Sequence, residues 1–283
     1  MGKPGESISY RLQTVTPQLA KSWLDNSTFD NRRMEEGRVK AIASDIKNGI
    51  KNGRWIFDGT PIRFSGENVI DGQHRLYAII RANTPVETLV VRGLSQETKN
   101  TIDTGKSRSA ADVLHFNGQV NAGVLAAVAR LSLNHKRYSG NLVSAVGYGK
   151  ANLSTQEIVA EVASNNALIK ATQSVVSLAY IKKQIGLSVP AFCYYLFMKA
   201  SSQHLADHFF QGLEHGADLP PDSPILLLRN ALTLRDTNRG KSGRYRSVYY
   251  SALIIKAWNA WSTGTKIQRL TFGLGEGFPI PSK

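Results

Sequence analysis

The pattern of apolar residues changes near residue 105, and this change limits the folds that the chain can adopt. Before that point, short runs typical of strands alternate with amphipathic helical stretches, whereas residues 106–283 show helical periodicity almost throughout. The pattern predicts an α+β domain over residues 1–105, followed by a mostly α-helical domain over residues 106–283. A chain of 283 residues is long enough for two domains with separate cores.

Capping residues and turn pairs mark the predicted elements of residues 1–105. Thr16-Pro17 ends a first strand and begins a helix, because Thr is a good N-cap and Pro suits the first helical position. Helical spacing of apolar residues predicts a second helix over Arg38–Asn48. The remaining predictions are strand pieces at Trp55-Ile56, Pro61–Phe64, Asn68–Ile70 and Val86–Val91, a helix over Leu76–Ala82 and a short helix opened by Ser95–Glu97.

Residues 106–283 contain a series of helical stretches, several of which begin at residues that favour N-caps. Gly140–Asn152 has several glycines and no clear period, which predicts a loop. The predicted helices lie near Ser109–Asn117, Ala122–Asn134, Thr155–Ser164, Ala167–Lys182, Pro190–Ala200, Ser202–Glu214, Pro224–Thr233 and Tyr245–Trp261.

The single cysteine, Cys193, excludes a disulfide scaffold and a cysteine-rich metal cage, and its aromatic neighbours predict a buried, inert thiol. The longest apolar run, Val189–Met198, is about half of what a membrane span needs. The first residues lack the apolar stretch of a signal peptide, so we expect a cytoplasmic protein with no membrane partner. His204 and His208 have no firm third ligand nearby in sequence, and we expect no metal site.

Positive charge is concentrated in the second part of the chain. The net formal charge is +14, of which residues 1–105 carry +3 and residues 106–283 carry +11. An excess of this size is typical of proteins with a polyanionic partner, most commonly nucleic acid, although a generally basic surface is the other interpretation. We expect a nucleic-acid partner, DNA above all, and the sequence leaves a homodimer open.

The strongest chemical signal is the segment Asp71–Arg75, which follows a predicted strand and precedes a helix. The N–H groups and positive dipole end of a helix start attract anions, and Gly72 lets a phosphate approach the backbone closely. His74 adds a donor, and Arg75 can bind two phosphate oxygens at once. The residues alone are equally compatible with a structural turn in which Asp71 is an N-cap and Arg75 faces solvent.

With its preceding strands and upstream helix, the box Asp71–Arg75 resembles the ParB/sulfiredoxin superfamily, most closely the phage- and plasmid-encoded ParB N-terminal-domain-like proteins with a DGQHR box. The resemblance covers roughly residues 8–105. It implies that Gly72, Gln73, His74 and Arg75 form a nucleotide-phosphate site, that Asp71 shapes the turn, and that the ligand is a nucleoside triphosphate with Mg²⁺.

The chain also departs from that superfamily. Sulfiredoxin has a reactive cysteine in this turn, where Gln73 stands here, and the helical region shows no clear helix-turn-helix signature. We therefore expect a DNA-binding protein with a nucleotide-binding turn. The alternative is an NTPase, phosphotransferase or nuclease of the same fold, for which Asp71 is the candidate catalytic residue, with Glu67 and Asp103 as the other nearby carboxylates.

Three further basic segments could meet a phosphate. Asn31–Arg33 with Arg38 could face the same pocket or form a solvated helix start, and Lys106 and Arg108 could close over a bound phosphate. The basic loop Arg235–Arg246 has five cations and is followed by tyrosines, a composition suited to nucleic-acid backbones and unpaired bases. The predicted nucleic-acid contacts in this loop are Arg239, Lys241, Arg244 and Arg246.

Overall fold

The computed structural model has the mixed α+β character that the sequence predicts, with 13 helices and one four-stranded sheet among the residues it describes. The chain divides into two compact units: Met1–Ser107 with Asn152–Ser154, and Arg108–Ala151 with Thr155–Lys283. In the described part, no helix has both the length and the apolar character needed to cross a membrane. The structure describes residues 7–28, 34–53, 55–102, 108–147, 153–233, 243–273 and 275–283.

The first unit contains the sheet, which is mixed. Its strands are β1 (Ser9–Val15), β2 (Ile62–Ser65), β3 (Asn68–Asp71) and β4 (Val86–Arg92). Their order across the sheet is β1-β4-β2-β3. β1 is antiparallel to β4, β2 is parallel to β4, and β2 is antiparallel to β3. The two strands nearest the Asp71–Arg75 box therefore lie together at one side of the sheet.

The helices of the first unit, α1 (Pro17–Asp25), α2 (Glu36–Lys51) and α3 (Gln73–Ala82), share a core with the sheet. The cap of α1 is as predicted, since the Thr16 hydroxyl accepts a hydrogen bond of 3.2 Å from the Leu19 N–H. Apolar residues from one sheet face, including Phe64 and Val90, are fully or almost fully buried against the three helices. This leaves the other face of the sheet outside that core.

The later segment 152–154 contributes to the first unit. Ser154 donates a hydrogen bond of 2.6 Å from its hydroxyl to Asp45 of α2, and Leu153 is 8% exposed. Trp55-Ile56, predicted as a strand piece, has no regular secondary structure, and a 3₁₀ turn covers Gln96–Asn100. Trp55 packs against the core instead, so its apolar character reflects burial without strand pairing.

The second unit is helical in all of its described elements. At its centre, the helix α10 (Ser188–Ala200) buries the continuous run Val189–Phe197, and the Phe197 ring stacks on Trp258 with ring centroids 4.2 Å apart. Its helices are α4 (Ala110–Phe116), α5 (Ala122–Arg137), α6 (Leu142–Gly147), α7 (Thr155–Ser164), α8 (Asn166–Val175), α9 (Ala179–Ile185), α10 (Ser188–Ala200), α11 (Gln203–His215), α12 (Pro224–Thr233) and α13 (Gly243–Ser262).

Two sequence predictions in this unit are wrong. The single helix expected over Ala167–Lys182 is broken into α8 and α9, because the Glu214 carboxylate accepts hydrogen bonds from the Tyr180 and Ile181 N–H groups and so caps a new helix start. The loop expected over Gly140–Asn152 contains α6, whose first turn is capped by the Asn141 side chain accepting from the Val143 N–H at 3.0 Å.

Candidate functional site

The Asp71–Arg75 box forms a sharp link between β3 and α3. Gly72 is the N-cap of α3 with φ of +95°, and its carbonyl accepts hydrogen bonds from the Arg75 and Leu76 N–H groups at 2.9 and 3.0 Å. A Cβ at this position would lie 3.2 Å from the Ile62 Cα atom. The turn therefore needs glycine both for its positive φ and for the close approach of β2.

The helix begins at Gln73, three residues before the predicted start at Leu76. None of the residues 73–75 is a helix breaker, so the helix can begin directly after the left-handed glycine. Gln73, His74 and Arg75, which were expected to precede the helix, form its first turn. They are all partly exposed, and their backbone N–H groups belong to the positive end of the helix dipole.

Asp71 holds the turn together. Its Oδ1 atom accepts a hydrogen bond of 2.7 Å from the Gly72 N–H. Its Oδ2 atom forms an ion pair with Arg63, the residue opposite it in the β2–β3 ladder. Both carboxylate oxygens are engaged, which suits the shaping role that the resemblance implies and leaves the carboxylate poorly placed to act as a base.

Arg75 lies under the loop that precedes β2. Its guanidinium donates to the Thr60 carbonyl, and its Nη2 atom is 3.9 Å from the Asp58 carboxylate, while only 19% of the side chain is exposed. Burial lowers the pKa of Arg75; Asp58 and Asp71 act against this shift, and the neighbouring cations Arg63 and Arg38 reinforce it. The nearby carboxylates therefore do not fully compensate the desolvated charge of Arg75.

His74 links the starts of two helices. Its Nε2 atom accepts a hydrogen bond of 3.1 Å from the backbone N–H of Glu35, the N-cap residue of α2, whose own side chain forms no cap. The positive ends of α2 and α3 therefore lie near each other, together with the arginines at positions 38, 63 and 75. This part of the first unit combines several positive groups around one turn.

Sequence reasoning missed two members of this cluster. Arg63 belongs to the cluster because the β2–β3 register places it opposite Asp71. Strand alternation puts its side chain on the face opposite that of Ile62 and Phe64. Asp58 and Gly59 form a pair typical of turns, and the proximity of Asp58 to Arg75 depends on the path of the loop before β2. A basic residue flanked by buried apolar residues was the available signal for Arg63.

Of the other residues predicted to lie near the turn, some are outside the described part of the chain and the rest make contacts elsewhere. Asn31–Arg33, Asp103 and Lys106 lie outside the described residues. Glu67 is highly exposed, with a carboxylate oxygen 3.8 Å from Arg92. Arg108 belongs to the second unit, where its guanidinium lies 5.1 Å from the centre of the Phe116 ring.

The predicted nucleic-acid contacts of the basic loop lie partly within α13. Arg239 and Lys241 lie outside the described residues, whereas the segment containing Arg244 and Arg246 is helical, not a loop. Arg246 is exposed. The neighbouring rings of Tyr245 and Tyr249 stack with centroids 6.2 Å apart, and Tyr249 makes an edge contact with Tyr250 at 5.5 Å.

Two other predicted features can be placed. Cys193 is fully buried, as predicted, and burial raises the pKa of its thiol. His208 packs its ring edge-on against Trp261, and no group of three or more metal-binding side chains occurs among the described residues. Comparisons of the chain with family models, curated proteins and solved structures found no match. The functional assignment therefore depends on the residues themselves.

Proposed function

We propose that this chain is a cytoplasmic DNA-binding protein whose first unit is a ParB/sulfiredoxin-like domain holding a nucleotide phosphate at Gly72–Arg75. The nucleotide is a nucleoside triphosphate, and Mg²⁺ enters as its counter-ion. The second unit supplies contacts to duplex DNA. In this proposal the turn recognises phosphate and regulates or accompanies binding of nucleic acid.

The observation that carries the nucleotide part is the incompletely compensated charge of Arg75, whose only ion pair among the described residues is the 3.9 Å contact with Asp58. A buried guanidinium with a lowered pKa gains stability from any anion that approaches it, because the anion offsets the lost hydration. Asp58, the nearest carboxylate to its guanidinium, is 3.9 Å away and 65% exposed. A phosphate group could meet Arg75 in the bidentate geometry that guanidinium groups favour.

The helix starts support the same ligand. Backbone N–H groups at a helix N-terminus bind phosphate, and two such ends approach each other here through the Glu35–His74 hydrogen bond. Gly72, the N-cap of α3, makes no side-chain cap of its own. We propose binding rather than hydrolysis because both oxygens of Asp71 are already engaged by Arg63 and by the Gly72 N–H.

The DNA part is supported by charge and by aromatic residues. Residues 106–283 carry +11 of the net charge, which favours association with the phosphate backbone. At the start of α13, exposed Arg246 directly follows Tyr245 in sequence, and the Tyr245 ring stacks on that of Tyr249. Cations interleaved with aromatic residues are a common composition of nucleic-acid surfaces.

Calorimetric titration with nucleoside triphosphates and with pyrophosphate, each with and without Mg²⁺, tests the nucleotide site. Arg75→Ala should weaken binding roughly 10- to 150-fold, because a charge-assisted hydrogen bond contributes about 1.5–3 kcal/mol. Arg81→Ala is the matched control, since Arg81 is on the same helix but is exposed and paired with Glu36. Equal affinity of wild type and Arg75→Ala would show that the turn is structural.

A salt titration by fluorescence anisotropy on duplex and single-stranded probes tests DNA binding. Changing Arg239, Lys241 and Arg244 together to Ser should weaken binding to every sequence and lower the magnitude of the salt slope by about two to three units. Nucleotide affinity should stay unchanged, because the turn belongs to the other unit. An unchanged slope would mean that these cations do not contact DNA.

A further inference from the structure

The two edge strands of the sheet, β1 and β3, differ in whether other parts of the chain form hydrogen bonds with them. The β3 edge is short and is covered by the segment after α1: the Val69 N–H donates to the Ser27 hydroxyl at 3.3 Å, and the Asn68 side-chain oxygen accepts from the Thr28 N–H at 2.8 Å. Natural proteins commonly protect sheet edges in this way, because an open edge pairs with other strands. This edge is closed by the chain itself.

The β1 edge has no comparable protection in the described part of the chain. β1 runs for seven residues, and no described backbone group outside its ladder with β4 makes a hydrogen bond to it. The strand contains neither Pro nor Gly, and its single charged residue is Arg11. A long regular strand of this kind presents backbone donors and acceptors that another extended chain can pair with.

Two of the three β1 side chains that alternate away from the helices, Tyr10 and Leu12, present an aromatic ring and an apolar group; the third is Thr14. Tyr10 is 78% exposed and Leu12 is 51% exposed, although both belong to residue types that favour burial. The register places Tyr10 opposite Val91 and Leu12 opposite Leu89 on β4. These residues of β1 and β4 therefore form an apolar surface that extends to the open edge of the sheet.

We propose that two copies of this chain pair antiparallel through β1, about a two-fold axis at Leu12. In that register Leu12 meets its own copy, and Arg11 meets Gln13, whose side-chain oxygen already accepts a 3.1 Å hydrogen bond from Arg11 within the strand. A register centred on Arg11 would place two like charges opposite each other. A second copy thus supplies both backbone hydrogen bonds and an apolar surface to extend the first.

This pairing makes a closed dimer with one continuous eight-stranded sheet. Each copy uses its only open edge among the described strands, since the β3 edge is covered by Ser27 and Thr28. The association needs neither nucleotide nor DNA, so it can be tested independently of the proposed function.

Disulfide trapping tests the register in the full-length chain. The native thiol, Cys193, is fully buried, so a cysteine introduced on the surface is the reactive one. Under mild oxidation, Leu12→Cys should form mostly disulfide-linked dimers, and a mixture of Arg11→Cys with Gln13→Cys should form mixed dimers. Val120→Cys, at a site of similar exposure (64%) in the other unit, is the control and should form little disulfide-linked dimer. Equal trapping at positions 12 and 120 would overturn the proposal.

Sedimentation equilibrium without ligands tests the association itself. Leu12→Lys should weaken dimerisation at least about tenfold, because it opposes two like charges at the axis, whereas Val120→Lys should leave it unchanged. Circular dichroism shows whether each variant is folded. If Leu12→Lys does not fold, the disulfide-trapping result decides whether the proposed register is correct. A wild-type chain that is monomeric at about 100 µM, or that grows beyond a dimer, would overturn the proposal.

Discussion

Each unit contains a charged side chain that is largely withdrawn from water, Glu161 in the second and Arg75 in the first, and the two are in opposite electrostatic situations. In the second unit, Glu161 is 6% exposed and is surrounded by donors: Lys136 donates to both carboxylate oxygens at 2.7 Å, Ser132 at 2.8 Å and Asn165 at 3.1 Å. Burial alone would raise the pKa of Glu161, but these hydrogen bonds and the Lys136 charge lower it below its usual value. The ionised form of Glu161 is favoured.

In the first unit, burial and neighbouring cations together lower the pKa of Arg75 despite Asp58 and Asp71, so the charged form is disfavoured relative to water. A lowered pKa therefore means that the charged form is favoured for the acid Glu161 and disfavoured for the base Arg75. Glu161 is a structural ion whose partners are all supplied by the fold. Arg75 is an ion that gains from a partner brought from outside, which is the property expected of a ligand-binding residue.

Removing Glu161 should produce the largest effect. Glu161→Ala should lower the free energy of unfolding by about 2–3 kcal/mol, because it leaves the buried Ser132 hydroxyl without its acceptor and removes the ion pair with half-exposed Lys136. The measurement is urea denaturation followed by circular dichroism. Glu157→Ala is the control, because the Glu157 side chain is more exposed (18%, against 6% for Glu161) and its pair with Arg137 should contribute about 1 kcal/mol or less. Similar losses in both variants would show that Glu161 contributes no more to stability than an ordinary surface ion pair.

A smaller effect should appear as a pH dependence of stability. Since the folded-state pKa of Glu161 lies below its value in the unfolded chain, its stabilisation is fully present above the unfolded pKa and is lost as the pH falls through the folded value. In Glu161→Gln this part of the acid destabilisation should be absent. Urea titrations of both proteins between pH 7 and about pH 3 measure it. Parallel pH profiles would contradict the prediction.

Replacing Arg75 should have the smallest effect on stability. Arg75→Met should change the free energy of unfolding by about 1 kcal/mol or less in the absence of ligand, because an apolar residue of similar length avoids the cost of burying an uncompensated charge. The Thr60 carbonyl that loses its donor belongs to an exposed residue and can bind water. A loss as large as that of Glu161→Ala, measured by the same denaturation, would show that Arg75 is a structural ion too.

Local signals in the sequence predicted much of the fold. Thr16-Pro17 predicted the start of α1, and apolar periodicity with its caps predicted Thr155–Ser164 and Pro224–Thr233 with the observed bounds. These features depend on residues within a few positions of one another. The left-handed Gly72 belongs to the same class, since the strand–glycine–helix pattern is local.

Features that depend on distant residues could not be predicted. The break between α8 and α9 requires Glu214, more than 30 positions away from the amides that it caps. The cluster around the turn requires the pairing of Arg63 with Asp71 across two strands and the hydrogen bond between Glu35 and His74. No periodicity encodes which loop residue meets Arg75, so the site's electrostatic imbalance became visible only in three dimensions.

The return of residues 152–154 to the first unit affects the order in which the chain can fold during synthesis. The Ser154–Asp45 hydrogen bond joins residues 109 positions apart, and the intervening residues 108–151 belong to the other unit. At a synthesis rate of about 5–20 residues per second, residue 154 is made roughly 2–10 s after residue 107. During that interval the first unit lacks the hydrogen bond from Ser154 to Asp45 of α2. A fragment that ends at residue 107 would carry the candidate site without this segment.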